Sequence, residues 1–233
     1  DLARIGEYYI EQLWGKKDFV PDPIKGRNVI CIDFDSNGNY NKTNIIGFNE
    51  SDINKYFFLE AKSNNPPVLS LTIKIYPGKN EAENRTNAEK TINNLRKSLR
   101  GVIEYIQSDE YRQILQNIHE HLDSDVVMDD VANKLAEIME DNTLEREDNT
   151  IYLSITINNV LICDREQGGG LSQAVVDAIM QKYLNEGEKA KGKGLCFVCG
   201  EYKEVSGDLS PYTFYSLDQP GYIVGGHHKR YAY

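Results

Sequence analysis

Apolar residues recur along this chain with two periods, and the switches between them outline a fold. Leu2, Ile5, Tyr9, Ile10 and Leu13 fall at helical spacing, which predicts a helix over 2–14 that closes at Trp14 and Gly15. Val20-Pro21-Asp22-Pro23 reads as a loop. From Asn28 to Asp35 the strand period takes over, around Val29, Ile30, Cys31, Ile32 and Phe34. The turn Asp35-Ser36-Asn37-Gly38-Asn39 follows, where Asn-Gly accepts positive φ, so a strand near Asn44–Phe48 completes a hairpin. Tyr56–Leu59 is expected to form another short strand, and Asn64-Asn65-Pro66-Pro67 breaks the chain. Leu69, Leu71, Ile73 and Ile75 then alternate with polar neighbours, as in a half-buried strand.

Helical spacing returns with Ala88, Ile92, Leu95, Leu99, Val102 and Ile106, which form one apolar stripe. Arg85, Lys90, Arg96, Lys97 and Arg100 lie largely off it, as a solvated face or a phosphate-contacting one. Ile114, Leu115, Ile118 and Leu122 mark a second helix; Val126, Val127, Val131, Leu135 and Ile138 mark a third. A strand resumes through Ile151, Leu153, Ile155 and Ile157 and ends at Asn158-Asn159. Gly168-Gly169-Gly170 is expected to be a flexible turn, with Ser172 capping a helix to about Leu184 whose buried face is Ala174, Val175, Ala178, Ile179 and Tyr183. The implied class is α+β: a small antiparallel sheet with a hairpin, a helical block inserted over about 82–140, and an incomplete zinc-knuckle-like C-terminal module. The composition turns to Gly, Lys and Tyr after residue 186, so 1–186 is read as one domain and 187–233 as that module.

The charge of −10 argues against a nucleic-acid partner until its distribution is considered. Residues 123–148 hold ten acidic side chains against Lys134 and Arg146, while residues 187–233 hold six Lys/Arg against five Asp/Glu. One acidic segment therefore carries most of the total, and the remainder is compatible with phosphate binding. No apolar run approaches the roughly 20 residues of a membrane span. The start at Asp1, without Met, is read as a fragment or processed form. Cys31 and Cys163 sit in apolar runs and are expected to be buried and reduced, which fits a reducing compartment, the cytoplasm.

Candidate chemistry concentrates at Cys196-Phe197-Val198-Cys199-Gly200. A redox dithiol, two incidental thiols and half a zinc site all fit the spacing. The glycine after the second thiol and the absence of an evident following helix favour zinc, for which thiolates are preferred structural ligands. His227 and His228 are adjacent and poorly suited to share one tetrahedral ion, so the other ligands are expected beyond Tyr233. His119 and His121 lie on different faces of a helix and read as ordinary residues. Asp33, Asp35 and Asp52 could suggest a divalent-cation site, but turn chemistry accounts for Asp35 and its neighbours more simply. No phosphate-binding loop, nucleophile elbow or His-Glu-x-x-His motif is present, and the chain is expected not to be an enzyme.

The segment from Cys196-Phe197-Val198-Cys199-Gly200, through Glu204–Asp208, to Tyr212-Thr213-Phe214-Tyr215-Ser216-Leu217-Asp218-Gln219-Pro220-Gly221-Tyr222 resembles the large subunit of type I-B CRISPR interference (Cascade) complexes. That subunit is the eighth Cas protein in its b form, or Csh-type. The resemblance is specific over about 196–226 and weaker at the 29–35 strand and its hairpin. It implies the N-terminal part of a non-catalytic subunit that binds target DNA beside the crRNA and other Cascade subunits. Such a subunit recognises the flanking motif and presents the target to a nuclease-helicase. It also implies a second Cys-x-x-Cys downstream. Lys189, Lys191 and Lys193 on a glycine-rich loop, with Lys229 and Arg230, are the expected phosphate contacts. Tyr202, Tyr212, Phe214, Tyr215 and Tyr222 are expected stacking platforms or the core of a small module. With Cys196 and Cys199 alone supplying thiolates, residues 1–233 should lose zinc to a chelator, whereas a longer chain that includes the next cysteines should keep one equivalent. Zinc analysis after dialysis checks this; full retention by 1–233 would assign the site to His227, His228 or a second molecule.

Overall fold

The computed structural model describes residues 28–48, 53–56, 70–140, 151–186, 191–195 and 201–206. The expected helix over 2–14, the acidic residues 141–148, Cys196, Cys199 and the aromatic tail from Tyr212 lie outside them. The described residues fall into two compact units. The larger contains those between 28 and 179; the smaller contains 180–186 and the two strands after them.

The larger unit is built on strand β1 (Asn28–Phe34), which pairs antiparallel with β2 (Tyr40–Gly47) and parallel with β4 (Ile151–Ile157). Strand β3 (Thr72–Ile75) lies antiparallel on the far side of β4, giving the order β2-β1-β4-β3, and the two-residue β5 (Val160–Leu161) also pairs with β4. The sheet is thus mixed, not antiparallel as expected. The cause is burial: six of the seven residues in β1 and in β4 are buried, as in strands covered on both faces, and such strands tolerate parallel pairing across a long crossover. One pleat of β1 and β4 gives Val29, Cys31 and Tyr152, clustered with Leu161 and with Tyr56 of the short helix α1 (Ile53–Tyr56). That helix takes in Tyr56, the first residue of the strand expected over Tyr56–Leu59; residues 57–59 lie outside the described residues.

The polar residues of β4 explain why alternation misled. Ser154 and Thr156 look solvent-facing in the sequence, yet both are buried. Ser154 Oγ lies 3.0 Å from Thr72 Oγ1 and also donates to the Leu71 carbonyl, while Thr156 Oγ1 donates to Asp33 at 2.8 Å. Asp33 is itself fully buried and accepts two further bonds, from the Asn159 amide at 2.6 Å and from Asn41 Nδ2 at 3.0 Å. One carboxylate thereby fastens β1 to β2, to β4 and to the turn that follows. That turn has positive φ at both Asn158 and Asn159, the geometry of a tight two-residue hairpin loop, in which asparagine is favoured. The β1–β2 turn is organised by Asp35, whose carboxylate accepts from the Asn37 and Asn39 amides and from Asn39 Nδ2. These bonds, that of the Asn39 side chain first, hold its carboxyl below the ordinary range. Gly38 in this turn has φ +84° and sits so close to the Ile114 carbonyl that a Cβ would meet it at 2.4 Å.

The helical block comprises α2 (Glu81–Ile103), α3 (Asp109–His121) and α4 (Asp125–Glu140). Asn80 caps α2 by accepting from the Glu83 amide at 2.9 Å, and Ser108 caps α3 by accepting from Tyr111. The apolar stripe expected on α2 is fully buried, and Ile106 is buried just past the helix end. Helix α2 packs on α4, and α4 packs on β1 and β2, where Tyr40 Oη donates to Asp130. Val126, expected inside, is 60% exposed.

Helix α5 (Gly169–Glu186) starts earlier than expected: the glycines open it, and Ser172 lies buried in its first turn instead of capping it. Asp164, also buried, organises the approach by accepting from the Glu166 and Gln167 amides and pairing with Lys55 at 3.5 Å. A Cβ at Gly170 would come within 2.4 Å of Tyr111 Oη, which explains a glycine where a helix former would serve better locally. Of the face expected to be buried, Val175, Ala178 and Ile179 are, and Ala174 is half-buried. Among the described residues no helix is long and apolar enough to cross a membrane.

Removing the Asp33 carboxylate leaves the buried Thr156 hydroxyl without its acceptor and breaks two part-buried bonds, from Asn41 and Asn159, so Asp33→Ala should cost about 3 kcal/mol of unfolding free energy. Urea titration checks this; a loss under about 1 kcal/mol, the worth of an ordinary exposed hydrogen bond, would show that the junction is not held this way.

Candidate nucleic-acid interface

In the smaller unit β6 (Lys191–Leu195) and β7 (Tyr202–Ser206) pair antiparallel. The register sets Lys193 opposite Glu204, Gly194 opposite Lys203, and Leu195 opposite Tyr202. Lys191 and Lys193 were expected on a loop. They lie on a strand because pairing with β7 satisfies the backbone and overrides the low strand preference of Gly192 and Gly194. The glycines alternate onto one pleat, and Lys191, Lys193 and Leu195 take the other.

This second pleat is open. Lys193 is exposed, Leu195 is 68% exposed and Tyr202 is 74% exposed, although large apolar groups opposite one another would normally be covered. Tyr202 Oη donates to the Lys193 carbonyl at 3.4 Å, holding the ring along the strand beside the lysine. Lys203, on the other pleat, pairs with Glu201 at 3.6 Å. A cation next to an uncovered aromatic face combines backbone attraction with a surface on which a base can stack. Lys189, Lys229 and Arg230 lie outside the described residues, as does the side chain of Lys191, so the interface is seen at Lys193 and Tyr202 alone.

The β6–β7 connection, residues 196–201, contains Cys196 and Cys199, which are outside the described residues. Among the described residues no group of three or more His, Cys, Asp or Glu converges as a metal site would require. The two described cysteines are free and buried as expected. Burial, joined at Cys31 by the charge of Asp33, pushes each thiol from an ordinary 9.0 up to about 12, which keeps both in the thiol form that does not bind metal. His119 is half-buried; burial first, then the charges of Arg96 and Arg100, hold its imidazole below the ordinary range.

The five cations of α2 divide into two sets. Arg85 pairs with Asp125 at 2.6 Å and Asp129 at 2.9 Å, and Arg96 pairs with Asp123 and donates to the His119 carbonyl. These two clasp α2 to the start of α4 and to the turn before it. The side chains of Lys90, Lys97 and Arg100 are exposed and make no hydrogen bond or ion pair with any described residue. In the sequence the five look alike, all lying off the apolar stripe. The distinguishing signal was the Asp123, Asp125 and Asp129 cluster, whose reach only the packing of α2 on α4 reveals. An open groove of about 590 Å³ along that packing seam is lined by Glu81, Ala82, Arg85, Asp129, Ala132 and Asn133, and its one cation is already neutralised.

Residues 1–167 match the family described as CRISPR-associated protein TM1802 (cas_TM1802) N-terminal domain. The chain belongs to this family, and with it to the proteins of CRISPR defence. The matched span takes in the whole sheet and helical block and ends before α5, whereas the sequence resemblance noted above rests mainly on 196–226. No curated protein and no solved structure matches the chain.

Both buried thiols make stability fall at high pH. Each favours the protonated form when folded, so its contribution is complete below pH 9 and is lost as pH rises from about 9 to about 12, at up to about 1.4 kcal/mol per pH unit per thiol. Iodoacetamide at pH 8 should leave Cys31 and Cys163 unmodified in the folded chain and modify both in urea, as peptide mass spectrometry reads. Rapid native labelling of either would place it at an open surface.

Proposed function

We propose that this chain is the non-catalytic large subunit of a type I-B crRNA-guided effector complex, binding target DNA and recognising the motif that flanks it. Membership of a CRISPR-associated family carries the reading. The β6–β7 pleat supports it chemically, since Lys193 beside the uncovered Tyr202 suits a phosphate backbone and an unstacked base. Guide pairing supplies sequence specificity in such complexes, which leaves the protein a short duplex to read and displaced strand to hold. The partners are then crRNA, the other subunits of the complex and a nuclease-helicase that cuts the presented target.

Zinc is part of the same proposal. Strand pairing closes at Leu195 and Tyr202, so Cys196-x-x-Cys199 falls within a short hairpin connection, where two thiolates can share one ion. The ion would hold the hairpin tip in shape and take no part in chemistry. A protein scaffold that docks a basic partner on its acidic segment is the alternative. Against it, Asp123, Asp125 and Asp129 are already engaged by Arg96 and Arg85.

Fluorescence anisotropy of the purified chain with a labelled 30-base-pair DNA duplex and with one of its strands, at 50 and 200 mM salt, tests the reading. Binding should weaken steeply with salt, and the variant with Lys191→Gln and Lys193→Gln should lower the log–log salt slope by about 2 for the duplex. Absence of any DNA binding contradicts the reading. Cleavage of either probe with Mg²⁺ or Mn²⁺ contradicts its non-catalytic part.

A further inference from the structure

We propose that Lys90, Lys97 and Arg100 on the exposed face of α2 form a second, sequence-independent contact surface for the phosphate backbone of a nucleic-acid duplex. The proposal rests on the nucleic-acid reading above and extends it to a site on the other structural unit. Lys97 lies seven positions after Lys90 and Arg100 three further on, which sets the Cα atoms about 10.5 and 4.5 Å apart along the axis and within about 80° around it. The buried stripe through Ala88, Leu95 and Leu99 lies on the opposite side, so the three side chains point away from the core.

Three observations favour a ligand over a merely solvated face. First, the fold has carboxylates within reach of α2 and uses them elsewhere: Asp123, Asp125 and Asp129 take Arg96 and Arg85 and leave these three cations unengaged. Second, the exposed carboxylates nearest along the helix, Glu89 and Glu104, form no ion pair with any of the three, and the stripe remains net positive. Third, the charge of Arg100 is felt on α3, where, after burial and Arg96 and against Asp123 and Glu120, it disfavours the charged form of His119.

The character of the surface selects the ligand. A rigid helix with cations spread over three turns suits an equally rigid backbone, and phosphate contacts of this kind fix position without reading sequence. No exposed aromatic ring interrupts the stripe between Lys90 and Arg100, so it lacks the stacking platform that single strands require and that the β6–β7 pleat offers. A DNA duplex and a guide–target hybrid present the same backbone charge, and separate probes distinguish them.

The test compares the unsubstituted chain with the triple variant Lys90→Gln, Lys97→Gln, Arg100→Gln by anisotropy over 50–200 mM salt. The probes are a 30-base-pair DNA duplex, the matching RNA–DNA hybrid and the DNA single strand. All three positions are exposed, and an unchanged thermal midpoint shows that the variant is folded; Lys90→Gln alone is the milder companion. The variant should lose about tenfold or more in affinity for a duplex probe, with the salt slope lower by about 2–3, and should bind the single strand as before. The probe showing the greater loss identifies the natural duplex. Unchanged duplex binding overturns the inference and leaves the proposed function standing. No binding by the unsubstituted chain overturns both. A loss confined to the single strand, or to a polyglutamate competitor standing in for an acidic protein, overturns the assignment to a duplex.

Discussion

The carboxylate of Asp33 is the constraint on which the larger unit depends. An acidic group at zero exposure is tolerated only where hydrogen bonds replace its lost hydration, and here Thr156, Asn159 and Asn41 donate them. Each donor belongs to a different part of the sheet, so satisfying one charge fixes the β1–β4 pairing, the β1–β2 pairing and the β4–β5 turn together. A slip of β4 by one residue would carry Thr156 off this pleat and leave the charge unmatched. The helical block occupies the long connection between β3 and β4, and the β1–β2 turn meets α3 through Gly38 and through Asn117, which donates to the Asn37 carbonyl.

That seam also marks where the sequence stopped being legible. The hairpin at Gly38, the three helices and the buried stripe of α2 could be read directly, because local period and turn chemistry determine them. The direction of β4 could not: Ile151, Leu153, Ile155 and Ile157 alternate with polar residues whether the polar pleat meets water or meets Asp33 and Thr72. Ser172 looked like a cap for the same kind of reason, since its fitness to cap is local, whereas α5 already begins at Gly169 and the close approach of Tyr111 to Gly170 is not visible in the sequence. The Lys191–Leu195 strand was hidden because its glycines speak against a strand and its partner lies beyond the cysteines. Of the candidate site, the residue types were legible and their grouping was not. Lys193 and Tyr202 come together only through the register of β6 on β7.

Charge is handled in a consistent way. The acidic segment that gives the chain its net negative character is partly spent on Arg85 and Arg96, which tie α2 to α4. Among the cations this leaves uncovered are Lys90, Lys97 and Arg100 on a helix, and Lys193 beside Tyr202 on a hairpin. A chain of net charge −10 can therefore present separate positive surfaces, one rigid and without aromatics, the other carrying an aromatic face. Duplex and unpaired strand ask for these two kinds of surface.

The most direct measurement is crosslinking of the assembled effector complex, carrying its guide and bound to a target duplex, with each crosslinked peptide identified by mass spectrometry. The account predicts nucleic-acid crosslinks in the peptides that carry Lys90 to Arg100 and Lys193 to Tyr202, with none from the acidic face of α4. Crosslinks from this chain to protein partners only, concentrated on α4, would contradict it.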